Sequence, residues 1–141
     1  MLVQAYLLGK KLVDVDFKDT VIDAILEKLR AIHRFDTKLT NLVFDNFSLS
    51  EQSPLRRLCQ EVYYHFEKPE WLSEADINVN FFIEFSKIQM FARVGSEARD
   101  SIFEPCRYHQ HGDRPCYRER TRMRALAASK APVKSQAMLT N

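Results

Sequence analysis

From residue 2 to residue 93, apolar side chains recur every three or four positions, and the recurrence is broken at a few polar or proline-bearing joints. Leu2, Val3, Tyr6 and Leu7 predict a short helix to Leu12, with Gly9 as a weak point inside it. Val13 to Asp16 interrupts the pattern. Phe17, Val21, Ile22, Ile25, Leu26, Leu29 and Ile32 then form one continuous stripe, the strongest helical signal in the chain, with Asp16 as its expected N-cap and an end near His33–Arg34. Leu39, Leu42, Val43 and Phe47 predict a third helix that Thr37 would cap. Ser53-Pro54 is a helix-start signal, a capping hydroxyl followed by proline at the first helical position. The fourth helix runs on to about Phe66, with Leu55, Leu58, Cys59, Val62 and Tyr63 inward and Arg56, Arg57, Gln60 and Glu61 outward.

Lys68-Pro69 should end that helix, and Glu70-Trp71-Leu72 reads as an apolar plug in a turn. A fifth helix is predicted from about Asn78 to Arg93, apolar on more than one side and so either central or in want of a partner. Beyond Gly95 the periodicity fades, and no segment alternates as a strand would. With three glycines and five prolines in 141 residues, a turn-rich sandwich or barrel is disfavoured. The expected fold is all-α, an irregular bundle of about five helices followed by a disordered basic tail at 117–141.

Composition adds little: 45% apolar and 28% charged residues suit a globular domain. No apolar run is long enough to span a bilayer, and the N-terminal stretch lacks the basic flank and small-residue cleavage site of a signal peptide. Three unevenly spaced cysteines do not make a secreted disulfide scaffold, so a cytoplasmic or nuclear setting with reduced thiols is expected. The net charge of +2 conceals a tail, 117–141, at +5 on a body at −3. Such a tail can touch nucleic acid without specificity, although a solvated end is the plainer reading.

Catalytic signals are missing from the sequence. It contains no phosphate-binding glycine loop, no nucleophile elbow and no His-Glu-x-x-His pair. Cys59 lies on an apolar helix face, His33 and His65 fall at helix ends, and the pairs Asp14/Asp16 and Asp19/Asp23 are explained by capping and surface charge. One cluster stands apart: Cys106, His109, His111 and Cys116, spaced C-x2-H-x-H-x4-C. Two thiols and two imidazoles suit tetrahedral zinc; His109 and His111 would share a side of an extended segment, and Gly112 with Pro115 would turn Cys116 back toward Cys106. A flexible linker with chance Cys and His, and a Cys106–Cys116 disulfide, are the alternatives.

The opening Tyr6-Leu7-Leu8-Gly9-Lys10-Lys11-Leu12, followed by Phe17-Lys18-Asp19-Thr20-Val21-Ile22-Asp23-Ala24, resembles the closing helices of fungal BTB/POZ domain proteins. Ser53-Pro54-Leu55-Arg56-Arg57-Leu58, Glu70-Trp71-Leu72 and the Cys-x-Tyr-His-x-His stretch at 106–111 are similar to later features of the same proteins. Lys10 stands where the family carries an acid, and the sheet with which a BTB domain begins has no counterpart here, as in a fragment or truncated gene product. The resemblance implies dimerisation or partner docking, including an adaptor role for a cullin-type ubiquitin ligase.

The expected plan is therefore closing helices of a BTB-like domain at 1–35, a helical extension at 36–96, a Cys/His-containing segment at 97–116 and the basic tail at 117–141. The expected function is a non-catalytic protein-interaction module, with Phe81, Phe82, Phe85 and Phe91 as interface candidates and Cys106, His109, His111 and Cys116 as metal ligands. The competing expectation is a small zinc-stabilised nucleic-acid or chromatin-associated module built on the Cys/His segment and the tail.

Overall fold

The computed structural model describes residues 1–32, 36–48, 51–66, 76–91, 99–104 and 106–129. All regular structure among them is helical: α1 (Leu2–Lys11), α2 (Val15–Ile32), α3 (Thr37–Asn46), α4 (Pro54–Phe66), α5 (Val79–Phe91), a 3-10 turn (Arg99–Phe103) and α6 (Tyr117–Ser129). The chain is all-α, as its periodicity predicts. No helix among the described residues is long and apolar enough to cross a membrane.

The joints follow local chemistry, with three shifts from expectation. The cap of α2 is Asp14, whose Oδ1 accepts from Phe17 N at 2.9 Å, and not Asp16. Asp36, not Thr37, caps α3, accepting from Lys38 N. In both places an acid just upstream has the free geometry to reach back to the first-turn amides. Ser53 precedes α4, but its buried hydroxyl makes no bond to the first-turn amides, so the expected cap is not formed; Asn78 Oδ1 accepts from Asn80 N at the start of α5. Between α1 and α2, Val13 N bonds Lys10 O and Asp14 N bonds Gly9 O, the paired closure of a Schellman turn, with Val13 in the left-handed region at φ 56°.

One hydrophobic cluster runs from Val3 to Tyr108. The α2 stripe buries Val21, Ile22, Ile25, Leu26 and Leu29, with α1 as the helix packed most extensively on it, while Phe17 and Ile32 at its ends stay partly exposed. Gly9 lies in the α1–α2 crossing: a Cβ there would meet Lys18 Cγ and Phe17 Cδ1 at 2.8 Å, which accounts for a glycine inside a helix. The other half of the core is aromatic. Phe81 meets Phe44 edge-on at 5.2 Å, Tyr63 at 4.5 Å and Phe85 in a stack at 5.6 Å. Each such pair adds about 1 kcal/mol beyond the area it buries. The Tyr63 hydroxyl accepts from Thr40 Oγ1 at 3.1 Å, so the polar end of the ring is satisfied.

Two outward assignments on α4 are corrected. Arg56 is only 3% exposed; it bonds the Ser48 carbonyl and Glu84 and lies 4.7 Å from the Phe44 ring centroid. Glu61 turns toward Arg107 and Tyr108. Periodicity could not place either, because each is drawn inward by a partner remote in sequence. The expected disorder from residue 117 is corrected as well, since Tyr117–Ser129 is helical. Its Arg, Ala, Leu and Met content has high helix propensity, which low hydrophobicity had masked. Residues 130–141, the Lys68-Pro69 joint, Trp71 and His33 lie outside the described residues.

Candidate metal centre

The segment 99–116 is held on the helical body at two places. At the first, Ile102 and Tyr108 are buried, and Glu61 of α4 gathers three donors: Tyr108 OH at 2.5 Å, Arg107 Nε at 2.9 Å and Arg57 Nε at 2.7 Å. Burial alone would push the Glu61 carboxyl up, but these donors outweigh it and hold it below its usual range. At the second, α2 supplies three successive grips. Lys18 Nζ donates to Gln110 Oε1 at 2.6 Å, Gln110 N donates to Asp19 Oδ1 at 3.0 Å, and His109 Nε2 bonds Asp23 Oδ1 at 3.0 Å.

Asp19 is almost fully buried. Burial pushes its carboxyl up, against the pull of the Gln110 amide and the charge of Lys18. The reading of Asp19 and Asp23 as surface and dipole charges is thereby corrected: four residues apart on one face of α2, they receive the Cys/His segment. That spacing was visible in the sequence, but nothing in it told which carboxylates would be covered.

Between these grips the chain turns tightly. Cys106 takes φ 67° and Gly112 φ 58°, both left-handed, and His109 N bonds Cys106 O at 3.1 Å. The turns bring together all four expected ligands: the donor atoms of Cys106, His109, His111 and Cys116 lie within 4.8 Å of one another. None of the three cysteines is in a disulfide.

The hydrogen bonds also orient the imidazoles. Asp23 can only accept, so His109 carries its proton on Nε2, and its Nδ1 lone pair faces Cys116 Sγ at 3.5 Å. The Gly112 carbonyl can only accept, so His111 carries its proton on Nδ1, 2.9 Å away. That leaves His111 Nε2, a buried nitrogen with no hydrogen-bond partner. Without a cation, burial and the neighbouring Cys116 push the Cys106 thiol up to about 11. Binding a cation therefore has to displace thiol protons.

This donor set can hold a metal ion. Tetrahedral zinc with bonds of about 2.3 Å to sulfur and 2.0 Å to nitrogen has ligand-to-ligand edges of about 3.3–3.8 Å. The Cys116–His109 separation of 3.5 Å falls there, and the four donors together, within 4.8 Å of one another, would draw closer on binding.

The interface candidates divide differently. Phe81 and Phe85 are 0% and 4% exposed inside this chain, so they are unavailable to another; Phe82 is 46% exposed. The Phe91 side chain lies outside the described residues. Cys59 is buried and bonds Thr40 Oγ1, an ordinary core thiol. A polar cavity of about 550 Å³ lies beside α4, with Arg56, Arg57, Arg107 and Glu84 in its wall. Its cations are already engaged, Arg56 by Glu84 and Arg57 with Arg107 by Glu61.

Fold and site together define an all-α protein with a Cys2His2 cluster able to hold a metal. No family model, no curated protein and no solved structure matches the chain.

Proposed function

We propose that this chain is a helical protein-interaction module that works by binding a second copy of itself or another protein, and not by catalysis. The observation that carries this reading is α5. Phe81 and Phe85 fill the core from one side, yet Val79, Phe82, Ile83 and Met90 remain 46% to 73% exposed on the other. Exposed apolar side chains gathered on one helix face mark a surface that a partner can cover. The resemblance of residues 6–24 to the closing helices of BTB proteins supports the same role, and with it a place as adaptor to a cullin-type ubiquitin ligase. Against catalysis stands the polar cavity beside α4, whose arginines are already paired with Glu84 and Glu61.

The ion suited to the Cys/His cluster is zinc, by donor type and by four-fold closure, and reduced thiols fit a cytoplasmic or nuclear setting. Sedimentation of the full chain tests the interaction. The wild type should self-associate independently of salt, and the double variant Phe82→Glu, Ile83→Glu should do so at least tenfold more weakly with unchanged helix content. Monomers in both at high protein concentration would sink the self-associating form.

A second reading, a zinc-stabilised nucleic-acid module, is favoured by the arginines of α6. It is weakened because Arg118 and Arg120 already pair with Asp23 and Asp16. Nucleic-acid binding that falls steeply with salt and vanishes on deletion of 117–141 is the result it requires.

A further inference from the structure

We infer that zinc in this cluster is a closed structural ion, bound through His109 Nδ1, His111 Nε2 and the Cys106 and Cys116 sulfurs, and that it anchors α6 across α2. This rests on the zinc reading of the site and adds its atoms and its consequence. The first support is the pair of lone pairs. Each imidazole has its N–H taken by an outside acceptor, Asp23 for His109 and the Gly112 carbonyl for His111. The remaining nitrogens are left for the cluster, and His111 Nε2 is buried with no other partner. An unmet buried nitrogen is costly, and a cation among the four donors removes the cost. Two thiolates and two neutral imidazoles also cancel the charge of a divalent ion and leave no position for a water or substrate, which marks a structural site.

The second support is Asp23. Its Oδ1 holds His109 at 3.0 Å, the carboxylate–histidine arrangement that orients metal ligands. Its Oδ2 holds Tyr117 OH and, at 2.7 Å, Arg118 Nε, both in the first turn of α6. One carboxylate on α2 thus links the ligand set to the helix that follows it.

The third support is Cys116. Its sulfur is the last ligand, and its carbonyl accepts from Glu119 N at 3.0 Å and Arg120 N at 3.1 Å, so the same residue starts α6. Starting a helix is its unfavourable step, and a 13-residue helix with no buried residue cannot rely on packing to offset it. Fixing Cys116 on the ion supplies the start.

The test uses the full chain, purified without chelator, with zinc itself as the probe. Metal analysis should find one equivalent, and cobalt exchanged into the site should show thiolate charge-transfer absorption. Removing zinc with a chelator should speed amide hydrogen exchange at 117–129 at least tenfold, with far smaller changes in α2 and α4. Cys116→Ser should abolish stoichiometric zinc. Because that variant can misfold for other reasons, Asp23→Asn serves as the second: it keeps all four ligands and should weaken zinc 10- to 100-fold in a chelator competition. Stoichiometric zinc with unchanged exchange at 117–129 overturns the anchoring while leaving the ion in place. Absence of zinc, or a Cys106–Cys116 disulfide in the native protein, overturns the zinc reading and the anchoring together.

Discussion

Val13 shows how a single residue can carry strain that sequence periodicity sees only as a break. It occupies the left-handed position of the turn closing α1, a place that glycine fills without penalty, and its side chain is 81% exposed. A β-branched residue there costs about 1–2 kcal/mol, partly offset by its smaller entropy when unfolded. Val13→Gly should therefore stabilise the protein by about 1 kcal/mol, read as a higher urea midpoint at unchanged slope; a lower midpoint would contradict the turn described. At the same scale, the functional residues most easily overlooked are Asp19 and Asp23. Carboxylates on the polar side of a helix are ordinarily solvent groups, and only the segment laid over them makes them partners of Gln110 and His109.

At the scale of elements, the α1–α2 pair depends on the close approach at Gly9. Any side chain there meets Phe17 and Lys18 at once. Alanine would bring back about 1 kcal/mol of helix propensity against that contact, whereas leucine cannot be accommodated without separating the helices. Gly9→Leu should lower stability by about 1–3 kcal/mol in chemical denaturation, the usual range for overpacking. Helix α5 is the counterpart case: its low amphipathicity was legible as a pattern, and the structure sorts it into Phe81 and Phe85 inside and Phe82 and Ile83 outside. Helix α6 was not legible, because its stability owes nothing to a buried face; its first turn is fastened by Tyr117 and Arg118 to Asp23 and by Arg120 to Asp16.

For the whole molecule, Glu61 ties the C-terminal segment to α4 and gives stability a defined pH dependence. Its burial alone would raise its pKa, but the donors Arg107, Tyr108 and Arg57 lower it in the folded state. A carboxyl whose folded pKa is depressed stabilises the fold above its unfolded value, about 4.3, and that contribution is lost as pH falls through the folded value. The urea midpoint should hence decline as pH drops below about 4.3, and Glu61→Gln should be less stable near neutrality with a flatter acid limb. An acid limb unchanged in the variant would remove Glu61 from that role.

The sequence by itself determined the helical class, five of the six α-helices among the described residues and the identity of the four candidate ligands, because helix formation and ligand chemistry depend on local spacing and residue type. Tertiary structure alone decided the rest. It turned Arg56 and Glu61 inward, chose Asp14 and Asp36 as caps, buried Phe81 and Phe85, and laid the Cys/His segment on Asp19 and Asp23 of α2. In the contacts that hold that segment, the partners stand 46 to 92 positions apart. Periodicity reports which way a residue faces on its own helix; it carries no information about which distant group will come to meet it.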